Sequence, residues 1–516
     1  MPLSRREFLI GAAGAAAVAA CSGDDDGAAR TTTTAGRTTT APPTPPLSGP
    51  PFALGVASGD PDAGSVVLWT RLAPAPTAGG GMPDEDVPVV WEVATDDAFE
   101  AMVASDVVTA QPRYGHSVHV TVDGLESGIE YRYRFRVGEY TSPLGRARTA
   151  PKGDVGLLHF AFGSCQNWED GFWPAHGHLA EEDVDLVVWL GDYIYEGAAS
   201  ASGVRQHDGP EPTTLEAYRN RYGLYKGDPS LQAAHAACPW LAIWDDHEVD
   251  NNYAGDSSED GSAADIFLAR RAAAYQAWWE HMPVRLDPPQ GPALEINRLL
   301  RWGDLLSFFA IDTRQYRADQ PCDRDADLGE GCPERDDPAR TMLGDEQEKW
   351  LADQMRNSTA TWNVLANQVI FSPSPVPVGS TTFFNLDQWD GYPTARARAL
   401  DILAGTANPV IITGDIHASA VADVRRGDDI VAVEFVGTSI SSSFPAQFVD
   451  LFEAAAETTG ARMADAQHRG YVRCTVTPDS FLAEYRVVES VTAPTSPVST
   501  SSSWVVQAGR PGVREA

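Results

Sequence analysis

Four short stretches of this chain end in side chains that bind metal ions. Gly163-Ser164-Cys165-Gln166 offers a thiol, and Gly191-Asp192-Tyr193-Ile194-Tyr195 a carboxylate and a phenol. Asp245-Asp246-His247-Glu248 offers carboxylates and an imidazole, as does Gly414-Asp415-Ile416-His417. Each follows an apolar run of strand length, at 157–162, 185–190, 241–244 and 410–413. Such runs read as strands buried on both faces, in a parallel or mixed sheet covered by helices. Open α/β sheets gather chemistry at the carboxyl ends of their strands. Gly191 allows a sharp turn there, so that Asp192 and Tyr195 can point into one cleft. A single Asp or His after a strand usually caps a helix or faces water. Four such endings in one chain point to a metal centre.

To position these strand ends the chain needs a layered α/β domain. Between about 151 and 490, strand-like runs alternate with helical ones at 269–279 and from 344 onward, and further strands are expected at 307–311 and 363–370. Residues 52–150 read as a small β-domain, with strands at 66–71, 89–93, 117–122 and 131–137. Leu125 stands six residues before Tyr131, across Ser127-Gly128. That spacing resembles the corner of fibronectin III-like sandwiches, where the Tyr hydroxyl pins the turn. A length of 516 residues suggests two or three folded units, and 43% hydrophobic content is ample for their cores.

The ends of the chain are of a different kind. In 1–21, Ser4-Arg5-Arg6-Glu7-Phe8-Leu9 looks like a twin-arginine export signal. The Ala/Gly-rich run after it is too short to span a bilayer. It closes on Val18-Ala19-Ala20-Cys21, which resembles a lipobox with Cys21 as the lipidated residue; ordinary cleavage nearby would leave an unanchored secreted protein. The expected location is therefore extracellular or at the cell surface, or periplasmic where the host has an outer membrane. Residues 22–51 are a Thr/Pro-rich linker. A Ser/Thr/Pro-rich stretch at 492–503 sets 491–516 apart as a C-terminal tail.

Of six cysteines, Cys322 and Cys332 share a Pro/Gly/Asp-rich loop and are the natural disulfide pair in an oxidising compartment. Cys238 and Cys474 sit in apolar or alternating contexts and read as buried thiols. Cys165 is left as the cysteine that calls for a functional explanation. Lys+Arg 38 against Asp+Glu 72 gives a net charge of −34, which argues against a nucleic-acid-binding surface and suits an acidic, well-solvated protein able to hold cations.

The ordered set Gly163-Ser164-Cys165-Gln166, Gly191-Asp192-Tyr193-Ile194-Tyr195, Trp244-Asp245-Asp246-His247-Glu248-Val249-Asp250-Asn251-Asn252 and Gly414-Asp415-Ile416-His417 resembles the PhoD family. These are secreted alkaline phosphatases and phosphodiesterases of the metallophosphoesterase superfamily. The resemblance implies a four-layer α/β/β/α sandwich behind an N-terminal β-sandwich, a phosphate-ester substrate, and one Fe³⁺ with one or two Ca²⁺. The residues agree with it. A phenol with a pKa near 10 ionises reluctantly on a divalent ion, so Tyr195 argues for ferric iron. Cys165 and His417 complete a mixed S/N/O set, with Asp192 as a bridge to a second ion. Asp246 and Asp415 add oxygen ligands that suit Ca²⁺. Two such ions can clamp a phosphate and supply a metal-bound hydroxide. His247 matches the position where the superfamily uses a His on the phosphate or leaving oxygen, or it holds the metal site from behind. Asp245, Asn251 and Asn252 are further ligands or supports. Arg314 could bind phosphate or form an ion pair with a carboxylate.

Within this reading a phospholipase D-like diesterase is the neighbouring activity. A non-catalytic surface protein would not need ligands at all four strand ends. A serine hydrolase lacks its Gly-x-Ser-x-Gly elbow.

Overall fold

The computed structural model describes residues 43–322 and 328–516. The export segment with Cys21, and the linker up to residue 42, lie outside the described residues. No helix among the described residues is long and apolar enough to cross a membrane.

The N-terminal strands are β1 (Val56–Asp62), β2 (Ser65–Arg71), β3 (Val87–Ala94), β4 (Met102–Ala110), β5 (Ser117–Asp123), β6 (Glu130–Val137), β7 (Tyr140–Thr141) and β8 (Gly145–Arg148). The larger part has β9 (Leu158–Gly163), β10 (Leu186–Trp189), β11 (Pro239–Ala242), β12 (Arg298–Trp302), β13 (Leu306–Ala310), β14 (Leu328–Glu330), β15 (Trp362–Ala366), β16 (Val376–Val378) and β17 (Thr381–Asn385). It continues with β18 (Pro409–Thr413), β19 (Ser419–Arg426), β20 (Asp429–Val436), β21 (Met463–Asp465), β22 (Arg469–Val476), β23 (Ser480–Val488), β24 (Val498–Gln507) and β25 (Arg510–Glu515). The helices are α1 (Pro174–Glu181), α2 (Leu215–Lys226), α3 (Pro229–Ala237), α4 (Ala264–His281), α5 (Asp345–Arg356), α6 (Pro393–Ala404) and α7 (Val449–Thr459).

Two large sheets face each other: β25-β24-β23-β22-β9-β10-β11-β1-β2-β5 and β12-β13-β15-β18-β20-β19-β21. Side-chain alternation along the strands explains the layering. Phe308, Val364, Ile412 and Phe435 point into the core shared with the ten-stranded sheet. Their neighbours Phe309, Leu365, Ile411 and Ala432 point outward, onto Leu351 and Met355 of α5 and Leu403 of α6. Phe160 meets Phe308 edge-on at 5.1 Å between the sheets, and Phe435 stacks on Phe481 at 5.7 Å. Leu179 of α1, Leu231 of α3 and Tyr222 of α2 belong to the same core as the ten-stranded sheet. The expected four-layer α/β/β/α sandwich is therefore present.

The N-terminal strands also form a sandwich, in which β1-β2-β5 faces a five-stranded sheet of β4-β3-β6-β7 with β8 paired to β6. Its corner is as expected, since Glu126 N donates to the Tyr131 hydroxyl at 2.9 Å. This sandwich is not a detached module. β1 pairs in parallel with β11, Ser58 opposite Pro239 and Gly59 opposite Trp240, so one of its sheets is an extension of the α/β domain's own.

The expectation of a tail at 491–516 is corrected. β24 pairs along β23 and β25 along β24, and Trp504, Val506 and Val513 are buried in the main core. The polar run 499–503 is tolerated because none of it is buried, 499–501 being exposed and 502–503 half-buried, where strand propensity matters less than pairing. Cys322 and Cys332 form the expected disulfide, and Cys165, Cys238 and Cys474 are buried free thiols.

Deleting residues 491–516 should therefore destabilise the whole protein, by about 5 kcal/mol from the lost burial of three large side chains. A truncated chain that melts cooperatively at the temperature of the full chain would contradict the role given to β24 and β25.

Candidate metal centre

β9, β10 and β11 run parallel and side by side, so their carboxyl ends open on one edge of the ten-stranded sheet. β18 ends in the same way within the parallel set of the facing sheet. The turns that follow are nested. Gly191 has φ 116°, and a Cβ there would stand 2.5 Å from Asp245 Cβ. A Cβ on Gly414 would stand 2.5 Å from Ser164 Oγ. Only glycine permits these approaches. Cys165 N donates to Gly191 O, and Gln166 N to Asp192 O, each at 3.2 Å.

Five of the ten non-glycine residues with positive φ among the described residues belong to these turns. They are Cys165 (59°), Asp192 (56°), Asn252 (51°), Asp415 (66°) and His417 (57°). Backbone of this kind persists where its surroundings over-determine it, and it concentrates at functional sites.

The predicted ligands converge. Ligand atoms of Cys165, Asp192 and His417 lie within 4.8 Å of one another, as do those of Asp192, Asp246 and His247, and those of Asp245, Asp246 and Asp415. Asp192 joins the first group to the second, and Asp246 joins the second to the third. The Tyr195 hydroxyl sits in the first group, 2.9 Å from Asp192 Oδ2, 2.9 Å from His417 Nε2 and 2.8 Å from Ser442 Oγ. Asn252 lies beside the second and third groups, its N–H donating to Asp246 Oδ2 at 2.7 Å. Asn251 is turned away, with its side-chain amide donating to Glu259 at 2.6 Å.

These groups fit bound cations. Asp192 Oδ1 and Asp245 Oδ2 are buried without any hydrogen-bond partner, a costly state for an anionic oxygen unless a cation faces it. Burial, then neighbouring carboxylates, hold Asp192 and Asp245 well above the usual carboxyl range, and Asp415 is pushed up to about 7. Burial and then Asp192 do the same to the Cys165 thiol and the Tyr195 phenol. Burial brings His417 down to about 4, which keeps its imidazole neutral, as a ligand must be.

The assignment of Arg314 to phosphate is corrected. Its side chain is fully buried beneath the carboxylates. It donates to Asp245 and, at 2.8 Å, to Asp387, and it stands 3.3 Å from Asp246 and 3.5 Å from Asp415. It is the internal counter-charge of the site, and no face of it is open to a ligand.

Several supporting residues were not singled out from the sequence. Glu248, fully buried, accepts N–H groups from Asp192 (3.0 Å), Tyr193 (2.6 Å) and Asp245 (2.8 Å), and so ties two of the strand-end turns together. Its adjacency to His247 was the available signal. Glu196 holds His247 Nδ1 at 2.7 Å, while the His247 ring stacks on Tyr195 at 4.0 Å. Burial disfavours the charged His247 ring, but Glu196, Asp246 and Asp192 outweigh it and hold the ring well above its usual range. Gln388 donates to Asp415 Oδ2 at 2.5 Å. Ser442 comes from a serine-rich loop after β20 that carried no ligand-type residue.

A cavity of about 400 Å³ opens on Asp192, Asp246, His247, Asp415 and His417. A second, of about 420 Å³, lies on the far side of His247 and is lined by Glu196, Asp250, Asn251 and Glu259.

The same arrangement recurs in known proteins. The description of the PhoD-like phosphatase family matches residues 160–485, and that of the PhoD-like phosphatase N-terminal domain matches residues 29–151. The chain belongs to the PhoD-like phosphatase family. It is 45% identical over 488 residues to alkaline phosphatase D of Bacillus subtilis (strain 168), covering 91% of this chain and 83% of that relative. A solved structure of PhoD superposes with a TM-score of 0.87 at 44% identity, over 91% of this chain and 93% of the other.

Two predictions follow from the supports of these turns. Glu248→Gln replaces one of the two carboxylate oxygens that between them accept three amides, and should cost about 2 kcal/mol of stability and lower the bound-metal content; unchanged values of both would remove Glu248 from its tying role. Beneath the turns, His176 Nε2 meets Gln166 Oε1 at 2.6 Å, and the Tyr193 hydroxyl meets His235 Nε2 at 2.7 Å. Burial lowers His176 from 6.5 to about 3, and His235 falls well below its ordinary value. The unfolded chain therefore binds protons that the folded chain refuses, so stability is lost as pH falls from about 6.5 towards 3. The melting temperature should fall across this window, and less steeply in His176→Gln. Equal slopes for the two proteins would exclude His176 as a contributor.

Proposed function

We propose that this protein hydrolyses phosphate esters at a metal centre formed by the four strand ends, as an alkaline phosphatase or phosphodiesterase. The observation that carries the reading is the run of three ligand groups linked through Asp192 and Asp246 at the mouth of one cavity. In this reading Cys165, Asp192, Tyr195 and His417 hold Fe³⁺, since thiol and phenol ligands suit a charged iron. Asp246 and Asp415, with Asp245 and Asn252 beside them, hold one or two Ca²⁺ through oxygen. When bound, such ions supply Lewis acidity towards phosphoryl oxygens and draw a nucleophile from water.

The protein's own groups do the rest. Arg314 and Glu248 fix the carboxylates and their turns. His247, oriented through Nδ1 by Glu196, has Nε2 available to donate a proton to the departing alcohol oxygen or to hydrogen-bond the phosphate. A nucleophile drawn from water makes a covalent phospho-enzyme unnecessary. The twin-arginine and lipobox reading of residues 1–21 supports export, with a lipid anchor at Cys21 as the membrane contact.

Metal analysis of the purified protein should find iron and calcium, and chelation should abolish hydrolysis of mono- and diesters. Protein without iron, or full activity after calcium removal, would sink the cofactor assignment. Cys165→Ser and Tyr195→Phe should each lower turnover at least about 100-fold together with iron content. His247→Ala should lower kcat by about 10²–10⁴ with metal retained. If the His247 variant loses its metal in parallel, the residue is a ligand and its catalytic assignment fails.

A further inference from the structure

The cavity at the metal centre does not end there. It runs between α7 with the loop before it on one side and Ile370, Val376 and the edge of β19–β20 on the other. Phe444, Phe448, Leu451 and Phe452 form its wall on the α7 side. Phe444 and Phe452 brace each other at 5.3 Å, and Phe448 is 43% exposed, an unusual setting for that side chain in a finished surface. Several polar side chains along the cavity are already engaged, while Ser372 Oγ is buried without a partner. Gln388 donates to Asp415, Asp423 pairs with Arg462, and Glu434 accepts the backbone N–H groups of Phe371 and Ser372. No Lys or Arg is among the described residues that line it.

We propose that this slot is a subsite for an apolar alkyl or aryl group on the substrate ester, the phosphate resting at the carboxylate end and the organic group against Phe448, Leu451 and Phe452. The inference rests on the phosphoesterase reading above and names the class of ester that the same site takes. A pocket of this size, apolar along most of its length with polar groups converging at one end, is the usual form of a small-molecule site. A sugar or glycerol group placed here would give up hydrogen bonds to water and find few in return. An alkyl chain gains about fourfold in affinity for each methylene it fully buries.

The test compares methyl-, hexyl- and phenylphosphonate binding to the metal-loaded protein by calorimetry, alongside hydrolysis of methyl and hexyl p-nitrophenyl phosphate. The hexyl or phenyl compound should bind at least about tenfold tighter than the methyl compound. Whichever of the two is tighter tells an acyl-type chain from a ring. In the double variant Phe448→Ser, Leu451→Asn, the hexyl-to-methyl ratio should fall towards one. Equal affinities for methyl and hexyl in the parent protein overturn the subsite, as does a hexyl preference that survives the double variant. Phosphonate binding with chain-length preference but no hydrolysis of either ester would instead overturn the phosphoesterase reading and leave the subsite standing.

Discussion

Buried negative charge is the constraint on which this structure turns. Asp192, Asp245 and Asp246 meet below the surface with a thiol and a phenol, the half-buried Asp415 stands beside them, and one fully buried guanidinium, that of Arg314, lies among them. That charge and the His247 ring, which Glu196 also engages, do not offset four carboxylates in a medium where desolvation is expensive. The arrangement is tolerable only if further cations enter, or if several carboxyls stay protonated. The turns bear the mark of this. Cys165, Asp192, Asp415 and His417 keep left-handed backbone conformations that ordinary loops avoid, and Glu248 spends its carboxylate on three amides to hold two of the turns in place. A packed sandwich supplies the rigidity. Its two sheets interlock through Phe160, Phe308, Phe435 and Phe481, so the strand ends they carry cannot drift apart to relieve the repulsion.

Much of this was legible in the sequence, because strands buried on both faces leave continuous apolar runs and the ligands follow those runs directly. β9, β10 and β18 fall within a residue or two of the predicted runs, while β11 begins and ends two residues earlier than its run. What was hidden had physical reasons. Glu248 works through backbone amides, so nothing in the side-chain pattern announces its partners. Arg314 is open to two readings from sequence, phosphate or a carboxylate ion pair, because a lone Arg after a strand gives no sign of whether it points outward or inward; the structure has the ion pair. β24 reads as tail in the sequence because Ser499 to Ser503 carry no apolar alternation; its strand character comes from pairing with β23 and from Trp504 and Val506, which only the folded sheet brings inside. The continuity of β1 with β11 was likewise unreadable, since composition cannot say which strands from two segments become neighbours.

Charge also decides how an anionic substrate can approach. The chain carries −34 overall, and no Lys or Arg is among the described residues lining either cavity beside His247. A phosphate ester entering the site without its ions would meet Asp192, Asp246 and Asp415 with the His247 ring as the facing positive charge, and the acidic surroundings would oppose it. Phosphatases that recognise their substrate through arginine keep an attraction for phosphate even without metal. Here Arg314 is engaged internally by Asp245 and Asp387, so in the proposed reading affinity for the anion comes from the ions together with the His247 ring. In the proposed reading metal loading and substrate recognition are then coupled, and the apolar wall on the α7 side is the part of the cleft proposed to distinguish one ester from another.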